Sequence, residues 1–181
     1  MNNEFLTVKA EAERGDATEQ NNLGFMYANG DNVEKDQVEA LKWYRKAADQ
    51  GLAAAQNILG NMYRNGEGVE KDYAEAVKWY RKSADQGDAV AQNILGIMYE
   101  KGNGVEKDYV EALKWYNKAV FSNLMLLSQW KGPQRPGLSE TEPDAAKNAA
   151  DLKKLMSPQQ VAEDRKRTEE ILKYFLEAKT K

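Results

Sequence analysis

The chain of 181 residues is 41% hydrophobic and 30% charged, with no histidine and no cysteine. These two absences exclude disulfides, thiol catalysis, cysteine-bound metal clusters, and the commonest general base and metal ligand. The net charge of -3 includes no basic stripe suited to nucleic acid, and no apolar run approaches the ~18 residues of a membrane-spanning helix.

The sequence repeats every 36 residues. The segment Leu-Gly-x-Met-Tyr occurs at 23–27, 59–63 and 95–99. The segment Lys-Trp-Tyr occurs at 42–44, 78–80 and 114–116. A period of this size is typical of solenoids, in which supersecondary units stack on their neighbours. We therefore predict an all-α, right-handed α-α superhelix (solenoid) of helix-turn-helix repeats, at residues 16–51, 52–87 and 88–123.

Residues 1–15 precede the first repeat and are predicted to form an N-terminal capping helix, because 3–14 align with the second helix of a repeat. Together with the repeats and the C-terminal segment they are expected to form one solenoid domain.

Each repeat is predicted to contain two helices, as the second one illustrates. The first helix, near 53–65, carries apolar residues three and four apart and ends at Gly66, since glycine readily adopts the left-handed conformation. The second helix begins at Asp72, with Glu75 completing a capping-box pattern. Its predicted apolar face consists of Ala76, Val77, Trp79, Tyr80 and Ala84.

A glycine recurs in the middle of each first helix, where it costs ~1 kcal/mol relative to alanine. Its repetition at Gly24, Gly60 and Gly96 predicts that a neighbouring helix approaches closely there. The opposing bulk is expected from two aromatic series, Trp43, Trp79 and Trp115 with Tyr27, Tyr63 and Tyr99. An aromatic ladder can also form a ligand cage, but helical spacing favours core packing.

The run Ala-x-Ala-Gln-x-x-Leu-Gly-x-Met-Tyr-x-x-Gly-x-Gly-Val-x-Lys-Asp-Tyr-x-Glu-Ala-x-Lys-Trp-Tyr at 53–80 resembles the Sel-one-like repeat family, a relative of the tetratricopeptide repeat with a slightly longer unit. The resemblance covers about 16–123. At one turn the first repeat departs from the others, with Asn32 in place of Gly68 and Gly104. The resemblance implies adaptor and scaffold roles in signalling, secretion and host interaction.

The C-terminal third is less regular. Residues 124–143 are predicted to be an irregular insertion or loop, and 144–181 a C-terminal capping helix pair, similar to the closing segment of bacterial family members. Within that pair, Ser157 is expected to cap a helix with Gln160 as its capping-box partner. Five apolar side chains of the last helix are expected to pack on the third repeat: Val161, Ile171, Leu172, Phe175 and Leu176.

Nothing in the sequence favours an enzyme. The serines have no evident base, and carboxylates such as Glu70 and Asp72 recur in every repeat, where turns and helix caps explain them. The glycine-rich turns lack the Lys-Ser/Thr pair of a phosphate loop. We therefore expect no catalytic residue, no cofactor, no metal site and no deep pocket.

A binding surface is predicted on the concave face, which the first helices line in solenoids of this type. Its candidate residues occupy the positions of those helices that are not core: Asn21, Phe25, Asn29, Asn57, Asn61, Arg64, Asn65, Asn93, Ile97, Glu100 and Lys101. The ladder of Asn21, Asn57 and Asn93 could bind an extended peptide backbone. The same asparagines could equally be solvated polar residues with no partner.

A second candidate patch is the apolar segment 120–130, represented by Phe121, Leu124, Leu127 and Trp130. It could cover the open end of the third repeat or dock a partner. If it docks a partner, the alternative function is a structural or self-assembling module joined through this segment.

The expected partner is another protein or an extended peptide, with no nucleic acid or membrane involved. Residues 1–123 carry 15 basic and 20 acidic side chains, which would favour a basic partner. A sharper hypothesis is a bacterial immunity protein that binds and blocks a cognate toxin, such as a basic toxin domain. The N-terminus predicts a cytoplasmic protein, or a periplasmic or secreted one from which a signal has been removed.

Overall fold

A computed structural model describes residues 3–129, 145–166 and 169, and these residues form helices and turns without a strand. The helices are α1 (Asn3–Glu13), α2 (Ala17–Asn29), α3 (Gln37–Asp49), α4 (Ala53–Asn65), α5 (Tyr73–Asp85), α6 (Ala89–Lys101), α7 (Tyr109–Gln129) and α8 (Ala145–Lys153). A further helical stretch covers 158–166. Consecutive helices pack on each other from α1 to α8, which confirms the all-α stack of helix-turn-helix repeats.

The predicted helix boundaries agree with the structure because local capping fixes them. In the second repeat, Gly66 ends α4 with a φ of 80° and donates its N–H to the carbonyl of Met62. The carboxylate of Asp72 accepts from the N–H of Glu75 and so caps α5. The reciprocal half of the predicted capping box is not formed. Instead the N–H of Asp72 donates to the carbonyl of Tyr63, and Glu75 pairs with Lys78 at 2.7 Å.

The core runs through the repeats as the periodicity predicts. Leu23, Leu59 and Leu95 are fully buried, and the three tryptophans are buried beneath lysine side chains. The lysine ammonium groups lie 3.7, 3.9 and 4.2 Å from the ring centroids, in the pairs Lys46–Trp43, Lys82–Trp79 and Lys118–Trp115. The tryptophan ladder is therefore core, shielded from water by lysine side chains.

The glycines of the first helices do permit a close approach, but to a different aromatic series from the predicted one. A Cβ on Gly24 would lie 2.9 Å from the ring of Tyr44, and one on Gly60 would lie 2.6 Å from the ring of Tyr80. Gly96 meets Tyr116 in the same way. The aromatic ring that packs over each glycine is thus that of the tyrosine that follows each tryptophan in the sequence.

The unusual turn of the first repeat keeps the backbone shape of the others. Asn32 has a φ of 60°, close to the 68° of Gly68 and the 73° of Gly104. At Gly68 a Cβ would collide with the carbonyl of Gln37, at the beginning of α3. The residue equivalent to Gln37 one repeat earlier is residue 1, outside the described residues. Asparagine tolerates the left-handed conformation, so it can replace glycine in this turn.

Both ends of the stack are covered by helices. Helix α1 buries Phe5 against Leu23 and Trp43 of the first repeat, as expected for a cap. Helix α7 continues to Gln129, so the first six residues of the segment expected to be irregular are helical. Residues 130–144 lie outside the described residues.

After α8, Ser157 and Gln160 form the predicted capping box, with bonds of 3.2 Å and 2.9 Å. Val161 packs against the cluster that residues of α7, α8 and Met156 form, and the expected contacts of Ile171, Leu172, Phe175 and Leu176 lie outside the described residues.

Candidate functional site

In the second repeat, several polar side chains form one hydrogen-bonded chain along the first-helix face. The hydroxyl of Tyr80 donates to Oδ1 of Asn61 at 2.9 Å, and Nδ2 of Asn61 lies 3.4 Å from Oδ1 of Asn57. Asn57 then donates to Oδ2 of Asp88 at 2.9 Å, and Ser83 Oγ lies 2.8 Å from the same oxygen. Asn57 therefore links the second repeat to the third, and Asn61 links the two helices of the second repeat, roles that the sequence analysis missed.

In the third repeat the residues at the equivalent positions have other hydrogen-bond partners. The hydroxyl of Tyr116 donates to Glu100 Oε2 at 2.6 Å, and Asn148 of α8 donates to Oδ1 of Asn93 at 3.2 Å. Asn93 is only 4% exposed, so its predicted place on an open binding face is wrong: α8 covers it. Ile97 is half-buried against the cluster that contains Leu113.

In the first repeat the connecting side chains are replaced by apolar ones. Phe25 occupies the place of Asn61, Leu52 that of Asp88, and Ala47 that of Ser83. Tyr44 and Asn21, the counterparts of Tyr80 and Asn57, are still present. Oδ1 of Asn21 is buried without a hydrogen-bond partner, and the hydroxyl of Tyr44 donates to no side chain that the structure describes.

Burial also shapes the acidity of these tyrosines. It raises the pKa of Tyr44 to about 12 and the pKa of Tyr80 further, with Arg64 partly opposing the rise at Tyr80. For Tyr116, burial and then the bonded carboxylate of Glu100 raise the pKa. All three hydroxyls therefore stay protonated at physiological pH, and those of Tyr80 and Tyr116 act as donors.

The remaining predicted face residues lie near the surface. Phe25 is 54% exposed, and Asn29, Asn65 and Lys101 are exposed as well. Arg64 is half-buried: its Nε donates to Asn65 Oδ1 at 3.3 Å, and its guanidinium lies 6.0 Å from the ring centroid of Tyr80. Phe25, Asn61 and Ile97 occupy equivalent positions in the three repeats. Phe25 is exposed, Asn61 is hydrogen-bonded to Tyr80, and Ile97 is packed against the core.

A buried glutamine ladder was not predicted from the sequence. Nε2 of the glutamine at the equivalent position donates to a carbonyl of the preceding helix in each repeat, in the pairs Gln20–Ala12, Gln56–Ala48 and Gln92–Ala84. Nε2 of Gln86 donates to Oε1 of Gln56. In the third repeat the hydroxyl of Ser122 donates to Oε1 of Gln92 instead. The recurrence of glutamine every 36 residues is the signal that could have revealed it.

The second candidate patch is described only in part. Phe121 is half-buried on α7, while the side chains of Leu124 and Leu127, and all of Trp130, lie outside the description. The neighbouring Leu126 is 62% exposed. This segment therefore presents at least one apolar side chain at the surface.

The C-terminal helices leave a cleft of about 600 Å³ beside Asp164. The carboxylate of Asp164 is held by Lys153 at 3.1 Å and by Asn117 at 2.9 Å, so its charge is compensated. Within 3–129 and 145–166, no three acidic side chains are arranged to hold a metal ion. Of the helices in that same part of the chain, none has the length and apolarity of a transmembrane span.

The Sel1 repeat model matches residues 20–52, 53–88 and 89–120, which is more than half of the chain. No curated protein sequence matches this chain. A protective antigen present in uropathogenic Escherichia coli strains and displaying an SLR fold is 42% identical, with a TM-score of 0.64 over 67% of this chain and 27% of that one. The Sel1 repeat protein from Oxalobacter formigenes is also 42% identical, with a TM-score of 0.59 over 64% of this chain and 48% of that one.

The chain thus spans less than half the length of either of these proteins. Cysteine rich protein B of Helicobacter pylori shares the fold at 24% identity, with a TM-score of 0.52 over 64% of this chain and 88% of that one. The SLR fold is generally a non-catalytic interaction scaffold, and Sel1 repeat proteins generally mediate protein–protein interactions. With three matched repeats on stacked helix pairs, this chain belongs to the Sel1 repeat family.

Proposed function

We propose that the chain is a non-catalytic scaffold or adaptor that binds another protein, or an extended segment of one, on the face formed by α2, α4 and α6. The observation that carries the proposal is the variation at one position of an otherwise repeated framework. Leucine, glycine and tyrosine recur at their places in all three repeats, whereas Phe25, Asn61 and Ile97 differ. Internal contacts explain the residues that recur, and also Asn61 and Ile97, whereas the exposed ring of Phe25 has no such explanation and is the residue that partner discrimination would account for.

Exposure supports the same face. Phe25 presents an aromatic ring to solvent, and aromatic residues, phenylalanine included, are enriched at protein interfaces. Asn29, Asn65 and Lys101, at the C-terminal ends of the three first helices, add exposed polar groups to the same face. A polar rim around an apolar contact is the usual composition of a protein interface.

Affinity capture from a lysate of the source cell tests the proposal. The wild-type chain is compared with a face variant and a control variant, each changing three exposed residues and adding three negative charges. The face variant carries Phe25→Ser, Asn65→Glu and Lys101→Glu. The control carries Val38→Ser, Ala74→Glu and Lys78→Glu on the second helices. A stoichiometric partner kept by the control and lost by the face variant is expected. A partner lost only by the control would refute the proposed face.

In its sharper form, the proposal is that the chain is a cytoplasmic bacterial immunity protein that blocks a cognate toxin. The support is the excess of acidic over basic side chains in residues 1–123, which suits a basic toxin domain. Expression of the captured partner alone should then arrest growth, and coexpression of this chain should restore it. If the partner is harmless by itself, the immunity role is wrong and the adaptor role remains.

The second candidate function is self-assembly through the apolar segment 120–130. The observation that favours it is Leu126, which is 62% exposed on a helix of 21 residues where the other repeat helices have 13. Sedimentation over a hundredfold range of concentration tests it with the Leu126→Ser variant. A mass that rises with concentration in the wild type alone would support self-assembly, and a constant monomer mass in both chains would exclude it.

A further inference from the structure

We propose that the second helices α3, α5 and α7 form a further binding surface, on which a row of exposed cations takes an extended acidic segment of a partner protein. The residues of this second-helix row are Arg45, Lys46, Arg81, Lys82 and Lys118. The inference goes beyond the binding proposed for α2, α4 and α6, because it concerns the other helices of the stack and a ligand of the opposite charge.

Charge is divided unequally between the second helices and the rest of the repeats. Helices α3, α5 and α7 carry eight basic and five acidic side chains, whereas the remainder of residues 1–123 carries seven basic and fifteen acidic ones. A basic face on an otherwise acidic molecule attracts an acidic partner and orients its approach. The charge of a whole repeat does not reveal this face, since residues 52–87 carry five side chains of each sign.

Aromatic rings hold the cations of the second-helix row in place. The guanidinium of Arg45 donates to the hydroxyl of Tyr63 and lies 5.6 Å from the centroid of its ring. Arg81 donates to the hydroxyl of Tyr99 at the equivalent position. The three lysines of the row lie over tryptophan rings at 3.7, 3.9 and 4.2 Å. An aromatic ring orients a cation without cancelling its charge, so the row is ordered before an anion arrives.

The neighbouring lysines show the contrast with a compensated charge. Lys42, Lys78 and Lys114 each pair with a glutamate three residues earlier, at 2.7, 2.7 and 2.9 Å. No carboxylate within 3–129 and 145–166 forms an ion pair with the second-helix row, Asp49 and Asp85 at the ends of α3 and α5 included. The charge of the row is therefore available to a ligand.

The extent of the row favours the carboxylates of a peptide over the phosphates of a nucleic acid. Binding to nucleic acid depends on neutralising many phosphates along a strand, whereas this row contains five cations on an acidic molecule. It ends in the third repeat, where Asn117 replaces the arginine and donates to Asp164. An extended peptide advances about 3.3 Å per residue, so a short acidic run can cross the three helices.

Peptide binding to the full chain tests the proposal. The probes are blocked, fluorescein-labelled dodecapeptides in which serine alternates with glutamate, glutamine or lysine, and a thymidine dodecamer with the same label. Fluorescence anisotropy should show that the glutamate peptide binds about tenfold or more tightly than the glutamine peptide, with an affinity that falls as salt is added. Equal affinities for these two peptides, or tighter binding of the oligonucleotide, would overturn the proposal.

Two lysine triples separate the row from the net charge of the chain. The row triple carries Lys46→Gln, Lys82→Gln and Lys118→Gln. The control triple carries Lys35→Gln, Lys71→Gln and Lys107→Gln, which are also exposed and 36 residues apart. Each control lysine stands between two acidic residues in the sequence, so its charge is locally offset. The row triple should weaken binding of the glutamate peptide about tenfold or more, and the control triple less than about twofold. Equal losses would show that net charge alone attracts the peptide.

Two further measurements separate a lost charge from a lost fold. Replacement of the same three row lysines by arginine keeps each charge and should retain the affinity that the glutamine triple loses. Carbodiimide coupling of the glutamate peptide to the wild-type chain needs no substitution at all. Peptide mapping by mass spectrometry should find the adducts on the row lysines, and adducts confined to Lys35, Lys71 or Lys107 would overturn the proposal.

The second-helix row and the first-helix face are tested separately. The row triple changes no residue of α2, α4 or α6, so in lysate capture it should keep the partner that the face variant loses. If the row triple also loses that partner while remaining folded, the second helices are not a separate surface and this inference is wrong. The failure of the row to bind any acidic peptide would leave the scaffold function of the first-helix face intact.

Discussion

The hydroxyl of Tyr80 donates a hydrogen bond of 2.9 Å to Oδ1 of Asn61, while the ring of the same tyrosine fills the space over Gly60. One side chain therefore closes a helix pair and also organises polar groups on the first-helix face. Because the tyrosine and the glycine recur in all three repeats, the framework is the same in each. What differs is the residue that meets the hydroxyl, and this difference gives each repeat its own surface.

Gly60→Ala should destabilise the chain. The new Cβ would lie 2.6 Å from the ring of Tyr80, and overpacking of this kind typically costs about 1–3 kcal/mol, more than the gain of up to ~1 kcal/mol from helix propensity. Urea denaturation measures the change in the free energy of unfolding. Gly24→Ala is the matched control, since its contact with Tyr44 is longer at 2.9 Å and its loss should be smaller. Stabilisation by Gly60→Ala would contradict the close approach.

Trp79→Ala should lower the free energy of unfolding by about 3–5 kcal/mol, because the indole is buried in the shared core. Trp79→Phe should cost less, since it keeps part of the ring. Thermal unfolding followed by circular dichroism compares the two variants. An unchanged melting temperature for Trp79→Ala would show that the ladder is not core.

Two equivalent asparagines should respond differently to truncation. Asn57→Ala removes the bonds to Asp88 and Asn61 and should cost about 1–3 kcal/mol, because both part-buried groups lose a partner. Asn21→Ala should be nearly neutral or slightly stabilising, because it removes a buried oxygen that has no partner. Denaturant titration of both variants gives the comparison, and equal losses would contradict the assigned network.

Alkaline pH should destabilise the chain through its buried tyrosines. The pKa of Tyr44 is raised to about 12 in the folded chain, against about 10 for an ordinary tyrosine. Its contribution is therefore fully present below pH ~10 and is lost as the pH rises toward ~12, at up to about 1.4 kcal/mol per pH unit. The raised pKa of Tyr80 and that of Tyr116 act in the same direction.

Melting temperatures between pH 8 and pH 11.5 measure this loss. Tyr44→Phe should reduce the slope above pH ~10 with little effect at pH 7, since the hydroxyl makes no hydrogen bond with the described side chains. An unchanged slope in this variant would show that Tyr44 titrates normally.

The sequence predicted the helices well because each boundary has a local cause. Residues 53–65 and the Asp72 cap were both found from periodicity and capping chemistry, and both are confirmed. The predicted partner of Gly60 was wrong, because helical spacing shows which residues share a face but not which neighbour is aimed at a glycine. The tyrosine adjacent to each tryptophan could be chosen only from the packed structure.

The candidate face was harder to predict for a related reason. An asparagine on a first helix looks the same in each repeat, yet Asn57 bonds Asp88, Asn93 bonds Asn148, and Oδ1 of Asn21 has no partner. These partners lie 31 and 55 residues away in the chain. Repeat periodicity alone therefore cannot separate structural amides from those available to a ligand.

Photo-crosslinking tests the central claim, that the first-helix face binds another protein, most directly. A benzophenone amino acid is placed at position 25 or, as a control, at Val38, which is similarly exposed at 52% on α3. Both chains are irradiated in the lysate, and the adducts are identified by mass spectrometry. We predict one partner joined through position 25 and absent from the position-38 sample. An adduct with that partner through position 38 alone would contradict it.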